Sequence, residues 1–385
     1  GIKIRKKMVN YLKNLFQRNQ PGIGIELGPE RINIAEIRQK GNKLRLVNFA
    51  TAEVPEEVFI EGQIKDISTM SELVQSIVEE NKIKSRRVAT AILGREAVTR
   101  VIPVPAELND QELQDYMNQE AGLYLPFPRE EADVDYQKLG NVLDPNDDLE
   151  KVQVALVATR KEITDAYIEV FAQAGLSINV LEVSNFALIR TVKEILQQYG
   201  PQEATVMADI GFDSTELAIV VDGIPQFNRT IPIGTYQMQS SLNEAMNLPP
   251  SRDTAELLGM TVPLMETMGM TKSGESSVTN ILQKVLVELA DEVRRSIDFY
   301  LNQSEELEVA QLLLTGSGAA IGQIDEFFMQ RLNLPASKVD PIEILALETE
   351  IEIPLQQCCS LGIVLGLGLR AVSYTHLTLP TKALV

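Results

Sequence analysis

The chain has 385 residues, 44% of them apolar, no tryptophan, and a formal net charge of −19. That length allows two domains or two lobes with separate cores, and the negative charge excludes general affinity for nucleic acid, whose phosphates attract basic surfaces. The only cysteines are the neighbours Cys358 and Cys359, which cannot staple a fold and have the wrong spacing for zinc, so a reducing cytoplasm is the expected compartment.

Residues 1–20 carry Lys3, Arg5, Lys6, Lys7, Lys13 and Arg18 without an acid. From Met8, "MVNYLKNLFQR" places Met8, Tyr11, Leu12, Leu15 and Phe16 on one helical stripe beside a basic face. That pattern suits a helix lying on a membrane surface or a partner through residues 8–18, and equally a terminal helix docked on its own protein. Met8 is also a candidate start, with "GIKIRKK" as upstream sequence. No secretory signal is expected. No apolar run approaches the 18 or more residues of a membrane span.

Residues 22–50 predict a strand, a tight acidic-Gly turn, and two further strands. A helix follows over 69–82, with Ser71 as its cap and Leu73, Ile77 and Val78 as its stripe. "RVATAILGREAVTRVIPVP" suggests a hairpin turning at Gly94–Arg95, then a helix stopped by Pro126 to Pro128. "ADVDYQKLG" and "KVQVALVATR" form another hairpin. A helix ending at Gly175, the strand "LSINVLEV" and the helix "SNFALIRTVKEILQQYG" complete the first half.

The pattern then restarts. "EATVMADIG", "STELAIVVDG" and "IPQFNRTIPIG" are three more strands, followed by a mainly helical region at 238–305 with a Gly/Ser/Thr stretch at 267–279. The helix after it buries Ile281, Leu282, Leu289, Val293, Ile297 and Tyr300 on one face. "VAQLLLTGSGAAIGQIDEFFMQRL" is strand, Gly-rich turn, helix, and "LGIVLGLGLRAV" is a helix whose Gly362, Gly366 and Gly368 permit close packing. The tail "SYTHLTLPTKALV", with His376, the only histidine, has no continuity with what precedes it and is read as non-native. The expected division is a basic segment at 1–20, a first lobe at 21–205 with an insert at about 86–160, a second lobe at 206–372, and the tail at 373–385.

The two halves repeat more than strand order. Aligning Glu26 with Asp209, an offset of 183, also aligns Leu27 with Ile210 and Gly28 with Gly211. A turn such as Asp209–Ile210–Gly211 presents backbone N–H groups, lets a phosphate come close, and sets a carboxylate where it can hold Mg²⁺ through water. Asp213, Ser214 and Thr215 add polar groups. "LTGSGAA" is a third Gly-rich turn, running into a helix N-terminus that favours anions. No P-loop motif occurs.

This order and spacing resemble the actin/Hsp70/sugar-kinase superfamily, an α/β fold of two lobes that clamp Mg-nucleotide. "VALVATRKEITDAYIEVFAQAGL", "RTIPIGTYQM", "EVRRSIDFYL", "LLLTGSGA" and "LGIVLGLGLR" narrow the resemblance to the PilM family of type IV pilus assembly, related to the division protein FtsA. The hairpin–helix–"YLPFP"–hairpin block is similar to that family's inserted subdomain. The resemblance covers about residues 8–372. It implies a cytoplasmic actin-like adaptor at the inner face of the plasma membrane. Such an adaptor binds the N-terminal cytoplasmic segment of PilN and links the membrane alignment complex to the pilus motor ATPases and platform protein. ATP and Mg²⁺ would be its cofactors.

By the resemblance, Glu26 and Gly28 match the first phosphate loop, with Glu26 and Asp209 the carboxylates nearest the ion and Arg31 a further candidate cofactor contact. Asp209, Gly211, Asp213, Ser214 and Thr215 match the second loop, Glu256 the nucleoside side, and Gly316, Ser317 and Gly318 the nucleoside loop. Glu182 falls near where superfamily enzymes position water, and a structural role at a helix start is the plainer reading. The sequence departs from the family in two places. Pro29 removes a backbone donor from the first loop and Glu30 adds negative charge there, unless Arg31 turns inward. Gly259 stands where an acid-x-x-Lys would place lysine. With no convincing catalytic base in the first half, a nucleotide-binding scaffold is favoured over an enzyme. The alternatives are a small-molecule kinase of the sugar or acetate type and an FtsA-like filament protein.

Overall fold

The structure is a computed structural model that describes residues 22–144, 147–264, 276–304 and 307–373. The basic stripe at 8–18, the Gly/Ser/Thr stretch as far as 275, and the tail from 374 with His376 lie outside the described residues.

Strands β1 (Ile23–Leu27), β2 (Arg31–Lys40) and β3 (Lys43–Glu53) form the expected antiparallel meander. A short hairpin, β4 (Phe59–Ile60) and β5 (Gln63–Ile64), leads to helix α1 (Ile67–Glu80). Asp66, not Ser71, caps α1 by accepting the Thr69 N–H, and Ser71 is buried inside the helix. An acceptor just outside the first turn reaches orphan N–H groups that a residue within the helix cannot.

The hairpin expected over 87–105 does not form. Strand β6 (Arg87–Ile92) runs parallel to β1, whereas β7 (Ala97–Pro105) lies in a different sheet, after a single helical turn at Gly94–Glu96. β6 is buried almost throughout, as a central strand covered on both faces must be, so it pairs with parallel neighbours on both edges. The insert therefore begins near Ala97 rather than at 86. It comprises β7, helix α2 (Asp110–Tyr124), β8 (Ala132–Leu143) and β9 (Glu150–Arg160), with strand order β7-β9-β8. Asn109 and Glu112 close a reciprocal cap at the start of α2. Ile102, Val104, Leu113, Met117, Val154 and Leu156 form the insert's own core.

Helix α3 (Lys161–Gln173), strand β10 (Ser177–Val183) and helix α4 (Ser184–Thr191) return the chain. The helix expected to run on to 199 breaks at Val192 into α4 and a turn at Lys193–Leu196. The second half holds β11 (Glu203–Ile210), β12 (Thr215–Val221), β13 (Ile224–Ile231), α5 (Thr235–Ala245), α6 (Ser276–Leu301), β14 (Glu308–Thr315), α7 (Ile324–Leu332), β15 (Ala336–Lys338) and α8 (Gly362–Ser373). The two five-stranded sheets run β3-β2-β1-β6-β10 and β13-β12-β11-β14-β15, a meander followed by two parallel strands in each.

Each sheet has its own core, and a third cluster joins them. In that junction Ala187 and Leu188 of α4 meet Ile363 and Leu367 of α8 among residues of both sheets. A Cβ on Gly366 would lie 2.0 Å from the Ala187 carbonyl oxygen, so only glycine allows this crossing. Thr191 donates to the Gly362 carbonyl at 2.6 Å, locking the same contact. Although no continuous apolar run reaches the length of a membrane span, the stretch Leu355–Val372 has the length and mean hydropathy of a membrane-crossing segment, and most of it is packed inside the fold.

Candidate functional site

The meander pairing that builds each sheet also builds one wall of a cleft. In the first half Glu26 pairs with Asn33 and Leu27 with Ile32; in the second Asp209 pairs with Glu216 and Ile210 with Thr215. Gly28 donates its N–H to the Arg31 carbonyl at 3.1 Å, and Gly211 donates to the Ser214 carbonyl at 2.9 Å. All of these positions are related by the same offset of 183. The repeat is therefore one hairpin built twice, down to its closing hydrogen bond.

The two loops face a shared cavity of about 570 Å³. Glu26, Gly28 and Arg31 line it from the first half. Asp209, Gly211, Asp213 and Ser214 line it from the second, with Gly316 and Ser317 beside them. Gly316 sits at φ +83°, and a Cβ there would lie 2.4 Å from the Ile210 carbonyl oxygen. The third glycine turn thus presses directly on the second loop. The Gly316 N–H in turn donates to the Cys359 carbonyl at 2.9 Å.

Three expected residues stand elsewhere. Thr215 is fully buried and spends its hydroxyl on the Ile233 carbonyl at 2.7 Å, because β12 has already begun there and turns it from the cleft. Gly318 packs behind Ile210, whose Cγ2 would be 2.2 Å from an added Cβ. Glu256 is exposed on the one-turn helix Ala255–Leu258, and it is Ala255 and Leu258 that line the cavity. Glu182 lies on β10, clamped by Arg190 at 2.6 and 2.9 Å, and holds the junction rather than the cleft.

Carboxyl groups are concentrated at the cleft floor. Burial raises the Glu26 pKa to about 8, helped by the charge of Asp209 and opposed by a hydrogen bond from Asn33. Burial also raises Asp209, against the hydrogen bond that the Thr315 hydroxyl donates at 2.9 Å. Glu216 is pushed up to about 7 by burial, although the Thr230 hydroxyl donates to it. Glu30 is raised by burial and drawn back by Arg31 and Arg252. Arg31 does sit near Glu30, and its guanidinium also reaches Glu53 at 3.6 Å.

Sequence reasoning missed four contributors. Glu216 lay inside an unbroken strand pattern, where alternation gave it no distinction. Arg95 reaches Asp213 at 3.7 Å, and Arg252 donates to the Pro29 carbonyl at 2.8 Å; no local spacing announces such long-range contacts. Gln356 enters from the turn before α8. Both cysteines are buried, and burial raises the Cys359 thiol to about 11, so little of it is thiolate at neutral pH.

The residues present fit a nucleotide better than a tightly ligated metal. The cavity has the size of a small-molecule site, and the second loop carries backbone N–H groups at Phe212, Asp213 and Ser214, where the first has Pro29. Among the described residues, no group of three or more His, Cys, Asp or Glu side chains converges to hold a metal directly. A Mg²⁺ ion would have to be held through water by Glu26 and Asp209, as its preference for retained hydration allows.

The profile of the family described as type IV pilus assembly protein PilM matches residues 24–372. Among solved structures, the chain is similar to that of a PilM-PilN type IV pilus biogenesis complex, at 24% identity and a TM-score of 0.75, covering 92% of this chain and 99% of that one. It is also similar to the ethanolamine utilization protein EutJ from Carboxydothermus hydrogenoformans, at 16% identity and a TM-score of 0.50, covering 90% of this chain and 89% of that one. The fold is the two-lobed actin-like one. By the family match, the chain belongs to the PilM family of type IV pilus assembly.

Proposed function

We propose that this PilM-family chain is an actin-like adaptor that holds Mg-ATP between its halves and uses lobe closure to set how it grips a partner. The observation that carries the reading is the doubled hairpin: two acid-x-Gly loops with the same closing hydrogen bond face one cavity. A nucleotide seated there contacts both halves, so its binding biases their relative position. Glu26, Asp209 and the second loop would hold the phosphates and hydrated ion. Gly316 and Ser317 would lie at the nucleoside side. The role is that of a scaffold with weak or absent ATPase activity.

The partner in this reading is the N-terminal cytoplasmic segment of PilN, and its support is the family together with the likeness to a PilM-PilN complex. The adaptor would work at the inner face of the plasma membrane, between the alignment complex and the pilus motor ATPases and platform protein. The basic residues 8–18 would add contact with the membrane surface.

Fluorescence anisotropy of a labelled PilN N-terminal peptide, titrated with the full chain with and without Mg-ATP, tests this directly. The reading expects saturable binding whose affinity changes with nucleotide. Equal affinity in both conditions would remove the gating, and no binding would remove the partner.

A further inference from the structure

Two arginines span the cleft. Arg95, on the helical turn that follows β6, reaches Asp213 of the second loop at 3.7 Å. The stronger link runs the other way. Arg252 belongs to the second half, yet its Nη2 donates to the Pro29 carbonyl of the first loop at 2.8 Å. Its guanidinium lies 4.8 Å from the centre of the Phe212 ring, and Phe212 occupies the place in the second loop that Pro29 holds in the first. One side chain therefore touches the same position of both copies of the hairpin.

The surroundings hold Arg252 in this pose. It follows Pro249 and Pro250, which fix the backbone ahead of it. Behind it, the Asp253 N–H donates to the Ser251 hydroxyl at 3.1 Å and the Asp253 carboxylate accepts the Ala255 N–H at 2.9 Å. Phe212 is buried and backed by Tyr236, with ring centres 5.3 Å apart, so the surface beneath the guanidinium is rigid. Glu30 lies close enough for Arg252 to stabilise its charge. A planar cation stacked on an aromatic face, with its hydrogens directed at a carbonyl, is a geometry that lysine cannot reproduce.

We propose that Arg252 is a latch across the mouth of the cleft: its hydrogen bond to Pro29 and its stacking on Phe212 hold the two loops together, and opening the cleft requires breaking both. Pro29, which removes a backbone donor from the first loop, supplies the latch's acceptor through its carbonyl. The latch belongs to the chain itself and stands whether or not the cleft takes a nucleotide.

Hydrogen–deuterium exchange on the full chain without added nucleotide tests it, comparing wild type with Arg252→Met, Arg252→Lys and Arg95→Met. For Arg252→Met the latch predicts about tenfold faster exchange in both loops, residues 28–31 and 211–214, with β6 and β14 unchanged as evidence of an intact core. Arg252→Lys falls between, since it keeps a donor and loses the planar stack. Arg95→Met, which breaks the longer contact, has the smaller effect. Loop exchange in Arg252→Met equal to wild type overturns the latch. A parallel calorimetric titration with Mg-ATP separates the two ideas. Faster loop exchange with no heat from ATP leaves the latch and removes the nucleotide reading; heat from ATP with unchanged exchange does the reverse.

Discussion

Glu26 and Asp209 occupy the same place in two copies of one hairpin, and the charge of Asp209 helps to raise the Glu26 pKa to about 8. The duplication thus brings two carboxylates to one cleft floor, each on the first strand of its sheet, where neither can turn away without breaking the pairing. Burying two such groups close together disfavours ionising both. The cleft floor is a place waiting for positive charge.

That arrangement gives stability a pH dependence with a definite sign. Between the ordinary value of 4.5 and about 8, the folded chain keeps a proton on Glu26 that the unfolded chain has released. Stability is then greatest below that window and falls as pH rises through it, with a slope approaching about 1.4 kcal/mol per pH unit for one group. Glu216, raised to about 7, adds to the slope over the lower part of the window. Glu26→Gln removes one group's share, so denaturant melts from pH 5 to 9 should show a flatter curve and a more stable variant at the alkaline end. An unchanged slope would mean that Glu26 ionises normally.

The crossing of α4 and α8 makes a sharper prediction. Gly366→Ala puts a methyl group 2.0 Å from the Ala187 carbonyl oxygen, where backbone rather than a movable side chain is in the way. The expected loss is about 3 kcal/mol or more, or failure to fold. Gly223→Ala is the control: its Cβ would meet nothing, and only its φ of +73° is unfavourable, so it should cost about 1 kcal/mol. Chemical denaturation of the two variants checks the order.

Asp66 is the cap of α1, accepting the Thr69 N–H at 2.9 Å and its hydroxyl at 2.7 Å. Asp66→Ala should lower the melting temperature and speed exchange at the start of α1, leaving its far end protected. Acid should act the same way, because the Thr69 hydrogen bonds hold the Asp66 pKa below its usual 3.8. The stabilisation is complete above the ordinary carboxylate range and is lost as pH falls through the lowered value.

The strip Glu348–Glu350 binds the outer edge of β3 in two ways. Its backbone pairs with Leu44 and Leu46, at 3.0 and 2.9 Å, and its side chains meet Lys43 and Arg45, each at 2.6 Å. The ion pairs are solvent-exposed, so screening and side-chain entropy cancel most of their attraction. Glu348→Ala and Glu350→Ala together should leave the melting temperature nearly unchanged. Replacing Leu347, which is buried beneath the strip, with alanine should lower it clearly. A large effect from the glutamates would show that charge, not packing, closes this edge.

Much of this was legible in the sequence because the repeat is strict where it matters. Strand periodicity and the offset of 183 located both meanders and the paired acid-x-Gly loops, and nine of the twelve residues expected at the site line the cavity between them. What was not legible depended on distance along the chain. Thr215 was expected to add a polar group to the loop, yet its pairing with Ile210 makes it the first residue of β12 and turns it inward. The hairpin expected at Gly94–Arg95 has good local turn chemistry, and only the partners of β6, at 23–25 and 177–183, decide that the chain changes sheets. Arg252 and Pro29 stand 223 residues apart, so no local pattern could have paired them.

Calorimetric titration of Mg-ATP into the chain, with Asp209→Ala as the control, tests the central claim most directly. Binding on the order of micromolar that is lost in the variant is the predicted result, and it would place the nucleotide on the doubled hairpin. No heat from either protein, in a chain whose melting shows it folded, would contradict the account and leave an actin-like scaffold that works without nucleotide.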